Sequence, residues 1–324
     1  MYSMRFLTLL TMLQFWGFLQ VSQAVADDKD APPQTNSMKP DKPAYYLIDD
    51  GTPIRSVNQI KPVRLYGFLG TAVAFDLYSL HRLRKTWYSQ PIGSFHFIEF
   101  EPDWRARKQS DKLGHMMHAY FATHLASKAY RWAGLSTKKS IWYGALTSWI
   151  WIAQIEFIDA FFEAWGFSVQ DLAFNTFGVA YATLQQLHPD KLGGIRLKIS
   201  YHSSEAYKYK LYSETNMSRI DDYEGITWWI TVNIHDIMPG VVKAHYPDWL
   251  APWGIAVGHS VENIARNIYG GQRQVYIGLD FDLTKIPTAD SNTLKFVKDM
   301  LNFVRLPLPA VRLSDGTVWY GFYF

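Results

Sequence analysis

The sequence predicts an α+β fold: a helical segment of about four helices packed on or in a C-terminal antiparallel sheet or partial β-barrel. Two observations carry this. Serines stand where helix caps belong before three long apolar-periodic segments. After Leu192 the pattern changes from helical spacing to a two-residue alternation.

The chain starts with a short stretch holding Arg5, then the apolar run "FLTLLTMLQFWGFLQV", then small residues at Ala24 and Ala26. This is the layout of a signal peptide over residues 1–26. An N-terminal membrane anchor is the competing expectation. Residues 27–57 are rich in Pro, Asp and Lys and read as a linker.

Residues 58–190 read as helical. A first helix is expected to start near Pro62. A second runs through "SDKLGHMMHAYFATHLASKAYRW", with Ser110 as cap and Gly134 as stop. A third begins after Ser136 and is expected to reach Gly166, and a fourth lies between Ser168 and Pro189. The third contains "IWYGALTSWIWIAQI", shorter than the ~20 apolar residues of a bilayer span. A buried core helix is the first expectation for it, and a membrane-embedded one the second.

Residues 191–324 read as an antiparallel β region. "GIRLKISYHS", "TWWITVNI", "WGIAVGHSVE", "RQVYIGLDFDL" and "TVWYGFYF" alternate, and "NTLKFVKDMLNFVRLP" reads as a short amphipathic helix. In the last strand Val318, Tyr320, Phe322 and Phe324 are expected on one face, and the chain ends on Phe324. Such an aromatic strand resembles the closing strand of outer-membrane barrels. Five strands fall short of the ~8 of the smallest closed barrels, so a partial barrel or curved sheet is expected.

Composition narrows the function classes. A net charge of +3 with no dense Lys/Arg stripe excludes nucleic acid as the expected partner. The 16% aromatic content suits a membrane interface. There is no cysteine, so neither disulfides nor an acylated cysteine can form.

Each of the three later helices carries one polar stripe on an otherwise apolar surface. Asp111, His115 and His118 share a face, with Lys112 beside them. Glu156, Asp159 and Glu163 share another, and Asp171 and Asn175 a third. Carboxylates are costly to bury alone, so the stripes are expected to face one another or a common cleft. Three uses follow. The groups can form an internal polar network that fixes helix registry. His115, His118, Glu156 and Asp159 are a ligand set suited to a divalent metal, the one cofactor the pattern suggests. The same groups can work as general acid and base, with Lys112 holding an anion. No H-E-x-x-H, G-x-S-x-G, P-loop or G-x-G-x-x-G context supports the enzyme reading, which stays open.

The segments "DKLGHMMHAY", "QIEFIDAF" and "GFSVQDLAFNTFG" together resemble the YfiM-like family of predicted periplasmic lipoproteins, a domain of unknown function. The likeness extends over roughly residues 110–262. A looser similarity to VanZ-like membrane proteins lies in the D-K-x-x-H and D-x-x-x-N-x-x-G pieces. The resemblance implies an envelope location, names Asp111, Lys112, His115, Glu156, Asp159, Asp171 and Asn175 as motif positions, and implies no reaction. The absence of cysteine departs from the lipoprotein pattern.

The reading reached is an exported cell-envelope protein, outer-membrane-associated with the periplasm as alternative. Its expected role is structural, or the binding of a lipid, glycan or protein partner, with outer-membrane lipids as the expected contact. The alternative is a metal-dependent or acid–base hydrolase acting on a lipid or cell-wall anion.

Overall fold

A computed structural model describes residues 59–212, 218–243, 245–288 and 291–324. The expected signal peptide and linker lie outside these residues. The chain forms two compact units. The first holds described residues 59–103 and 118–183, and the second 104–117 and 184–324. The α+β class is as expected, with helices mainly before residue 190 and strands after it.

The first unit is helical. α1 (Pro62–Thr86) opens on proline, whose fixed φ suits a first helical turn. α2 (Phe100–Arg105) is a short helix that the sequence pattern did not announce. α3 (Ser110–Trp132) enters this unit from His118 onward. α4 (Thr137–Asp159) is capped by Ser136, whose side chain accepts from the Lys139 N–H. α5 (Val169–Leu187) follows Ser168, whose Oγ accepts from the Asp171 N–H at 3.0 Å.

α4 stops at Asp159 rather than at Gly166. Residues 160–166 turn instead, and the Gly166 N–H returns to the Asp159 carbonyl. The turn places Phe162 beside Leu80, Tyr88 and Ile158, in a cluster that continued helix would pull apart. A second cluster joins Leu65 and Leu69 of α1 to Tyr130 of α3. α3 and α4 meet closely at Gly144, where a Cβ would lie 2.2 Å from Ser127 Oγ. Among the described residues no helix is long and apolar enough to cross a membrane.

The second unit is built on a six-stranded antiparallel meander in simple order. Its strands are β1 (Ile195–Tyr201), β2 (Ile226–Asn233), β3 (Trp253–Glu262), β4 (Gln272–Phe281), β5 (Leu308–Arg312) and β6 (Val318–Tyr323). β5 is the strand the alternation missed, because Pro307 and Pro309 break its pattern. α6 (Asn292–Leu301) matches the expected short amphipathic helix.

The sheet curls strongly. A flat sheet would hold β2 and β6 about 19 Å apart, four strand spacings of ~4.8 Å. Yet the Trp229 and Tyr323 rings lie 5.8 Å apart, and Thr227 Oγ1 meets Tyr323 Oη at 3.0 Å. Small residues make the curl affordable on the inner side. A Cβ at Gly258 would sit 2.6 Å from the Trp229 ring, and one at Gly278 would sit 2.6 Å from Arg305 Nη2.

Arg305 then ties the two ends of the meander together. Its N–H donates to the Ile199 carbonyl of β1. Its guanidinium donates to carbonyls of Leu279, Leu308 and Tyr323 in β4, β5 and β6. It also stacks over Trp229, 4.1 Å from the ring centre.

The expected single aromatic face of β6 is broken. A register shift between Leu308 and Ala310 pairs Ala310 with Tyr320 but Leu308 with Tyr323. Tyr323 is therefore buried, whereas Phe322 and Phe324 are exposed.

Candidate functional site

The expected polar residues divide between the two units. In the first unit, Glu156 and Asn175 are both buried, and Asn175 Nδ2 donates to Glu156 Oε1 at 3.2 Å. The pair joins α4 to α5 by a buried side-chain hydrogen bond. Asp159 accepts the hydroxyl of Tyr88. Burial pushes the Tyr88 phenol well above its usual range, and the nearby Asp159 carboxylate pushes it further, so Tyr88 stays a neutral donor. Asp171 is buried at the first turn of α5, where Ser168 Oγ takes its N–H. That same Ser168 hydroxyl donates to the buried Asp103 carboxylate at 2.6 Å. His118 is exposed on α3, and Glu163 lies beyond the end of α4, also exposed.

One pair in this unit was missed. Gln154 Nε2 donates to Asp76 Oδ1 at 2.5 Å, with both side chains buried. The signal was present: Asp76 is the one carboxylate within the run "GTAVAFDLYSL".

In the second unit the start of α3 carries Asp111, Lys112 and His115. Three consecutive non-glycine residues before it, Arg107, Lys108 and Gln109, take left-handed φ values of 48°, 50° and 64°. Such a turn costs roughly 1–2 kcal/mol per residue. It is held by the neighbouring loop: the Arg107 N–H donates to the Ile268 carbonyl at 2.6 Å and Lys108 Nζ to the Tyr269 carbonyl at 3.0 Å. The turn aims α3 so that Trp228 Nε1 reaches Ser110 Oγ at 2.9 Å and Gly114 packs on the Trp228 ring.

Asp111 is the centre of this group. Its Oδ1 accepts the Tyr223 hydroxyl at 2.6 Å and lies 4.0 Å from His115 Nε2. Its Oδ2 lies 3.3 Å from the buried Lys112 ammonium. The Arg107 guanidinium stacks over the Tyr223 ring at 5.0 Å. Burial alone would raise the Asp111 pKa. The positive charges of Lys112, His115 and Arg107, with the Tyr223 hydrogen bond, outweigh it and hold the carboxyl below the usual range. Tyr223 is pushed well up, first by burial and then by Asp111.

A folded pKa below the unfolded value stabilises the protein above the unfolded pKa, and this is lost as pH falls. The unfolded reference is 3.8. Wild type is therefore expected to exceed Asp111→Asn in stability by about 1–3 kcal/mol at neutral pH. The gap should close as the pH drops below about 4. Urea unfolding of both proteins across the acid range measures it. A gap that persists unchanged at low pH would mean that the Asp111 charge does not contribute.

Chemically, the two units offer different things. The Glu156–Asn175 and Asp76–Gln154 contacts join side chains of packed helices, and Asp159 of α4 meets Tyr88 just beyond the end of α1. Asp111 and His115 present a carboxylate and an imidazole from successive turns of one helix face, two groups of the kind a divalent metal takes.

Residues 100–187 match a family model, and no curated protein and no solved structure matches the chain. The looser VanZ-like likeness finds no support in these comparisons. The matched family supports export to the periplasmic side, and the matched stretch contains all nine polar positions from Asp111 to Asn175. The segment from α2 to the end of α5 thus matches the family described as predicted periplasmic lipoprotein (DUF2279).

Proposed function

We propose that this is a structural envelope protein seated on the outer membrane by its curled sheet, with the buried polar pairs fixing the helical region. The observation that carries the reading is an inverted sheet. The inner side holds Lys198, Thr227, Thr231, Ser260, Gln274 and Asp280, all buried. Part of the outer side is aliphatic and exposed, whereas Leu197, Ile226, Trp228 and Val261 on the same side are buried. Register puts Ile230, Val257, Ile277, Val311 and Trp319 in one row across five strands. Ile230 is 48% exposed, Val257 51%, Ile277 44% and Trp319 79%. Ile255 and Leu279 form the next row, both exposed.

Water would penalise such a contiguous patch, whereas hydrocarbon accepts it, and alternation with apolar side chains outward is the pattern of membrane β-proteins. From Phe281 to Val275 the apolar band runs for about 20 Å along β4 at ~3.4 Å per residue. That is shorter than the ~30 Å hydrocarbon core, so the sheet enters the membrane without bridging it. α6 repeats the inversion: Leu294, Val297 and Leu301 are exposed, while Lys298 is buried and donates to the Ile286 carbonyl. A helix with its apolar side outward suits the membrane interface.

The test is flotation of the full chain with vesicles of phosphatidylethanolamine and phosphatidylglycerol. Wild type is expected to float with the lipid. Ile277→Arg is expected to lower partitioning about 30-fold or more, from ~2–4 kcal/mol for a cation on a lipid-facing strand. Circular dichroism should show the same fold, since the site is on the surface. Wild type left in the aqueous fraction, or a variant that floats equally well, would overturn the reading.

A further inference from the structure

At one end of the strands, on the inner side of the sheet, a cleft of about 510 Å³ opens within the second unit. That lies in the ~300–1,000 Å³ range of small-molecule sites, and the mouth of a curled sheet is a common place for one. Nothing in the polar helices or the lipid-facing rows uses it.

Its lining is mixed in a specific way. Tyr320 and Tyr323 meet edge to face, with ring centres 5.1 Å apart. Glu262 accepts from Gln274 Nε2 at 2.8 Å and lies 3.9 Å from Arg312 Nη1. Glu224 is held by the Ile264 and Ala265 N–H groups at 2.8 and 2.9 Å. The buried Nε of Arg312 has no hydrogen-bond acceptor among the described residues. A buried donor left unpaired costs free energy, and an acceptor atom from a bound molecule would remove that cost.

The lining excludes two ligand classes. An acyl chain would leave carboxylates and guanidiniums facing hydrocarbon. A polyanion would meet Glu205, Glu224 and Glu262 together with Arg266 and Arg312, a set without a positive excess. What fits is a neutral molecule with hydroxyls on its rim and C–H faces above and below. Hydroxyls both donate and accept, so they can serve carboxylate and guanidinium at once, and C–H faces pack on tyrosine rings. We propose that the cleft is a binding site for a neutral saccharide of one or two rings. This inference does not rest on the membrane reading.

Saturation-transfer NMR on the full chain, held in a detergent without a sugar headgroup, tests it. The probes are N-acetylglucosamine, its β-1,4-linked dimer and maltose, with inorganic phosphate titrated separately. At least one sugar is expected to receive transfer on its ring C–H protons. Arg312→Gln and Tyr320→Ala should each weaken binding at least tenfold. Glu262→Gln, on the rim of the cleft, supplies the same readout should either of those variants fail to fold. No transfer to any of the three sugars, equal binding by folded variants, or binding of phosphate alone would overturn the proposal.

Discussion

Replacing Lys198 with methionine is expected to cost about 3–5 kcal/mol of stability, the largest single effect in the second unit. The ammonium is fully buried and lies 2.8 Å from Asp280, itself almost fully buried. Lys198 also donates to the Phe281 carbonyl at 2.9 Å and to Asn302 Oδ1 at 3.0 Å. Removing it leaves the Asp280 carboxylate in the interior of the sheet without its cation. The loss comes from that stranded charge, because two ions taken out of water repay little net energy when paired. Pairing Lys198→Met with Asp280→Leu should therefore recover most of it. Urea unfolding in detergent measures both. If the double variant is no more stable than the single one, the pair does more than neutralise itself.

Asn175→Leu is expected to cost about 3 kcal/mol in the helical unit, since it takes a donor from the buried Glu156 carboxylate. Leucine keeps the branched shape of asparagine but is bulkier, so overpacking of this fully buried site adds to the polar loss. A double-mutant cycle with Glu156→Leu separates two roles for this pair. A structural network predicts that the double variant loses less than the two single changes added together. A pair kept for chemistry predicts that the single variants fold as stably as wild type. Thermal unfolding followed by circular dichroism decides between these.

Those two variants probe residues of unequal visibility in the sequence. Glu156 and Asn175 were legible, because a carboxylate and an amide at helical spacing in "QIEFIDAF" and "DLAFNTFG" stand out against apolar neighbours. Lys198 was not. In "GIRLKISYHS" it reads as one more outward polar residue of an alternating strand. A period of two defines two faces and does not say which one is buried. Asp280 and Asn302, its partners, lie 82 and 104 residues further on, beyond any local pattern.

The left-handed turn at Arg107, Lys108 and Gln109 was likewise invisible. Its residue types do not favour positive φ, and the loop from Ile268 to Tyr269 is what holds it. The early end of α4 has the same origin. Helix propensity would continue through Phe161 and Phe162, but their packing on Leu80 and Tyr88 prevails.

By itself the sequence determined the elements whose signals are local. Ser136 and Ser168 start their helices because a hydroxyl beside the first turn satisfies N–H groups that have no other partner. The alternation after Leu192 marked five of the six strands, since pleating sets the period. Tertiary structure decided which side of the sheet is inside. That choice follows from Gly258 and Gly278, which leave room for Trp229 and Arg305, and from Arg305 bonding to strands at both ends of the meander. Once that side closes on polar and aromatic groups, the aliphatic rows face outward, and no span of a few residues carries that information.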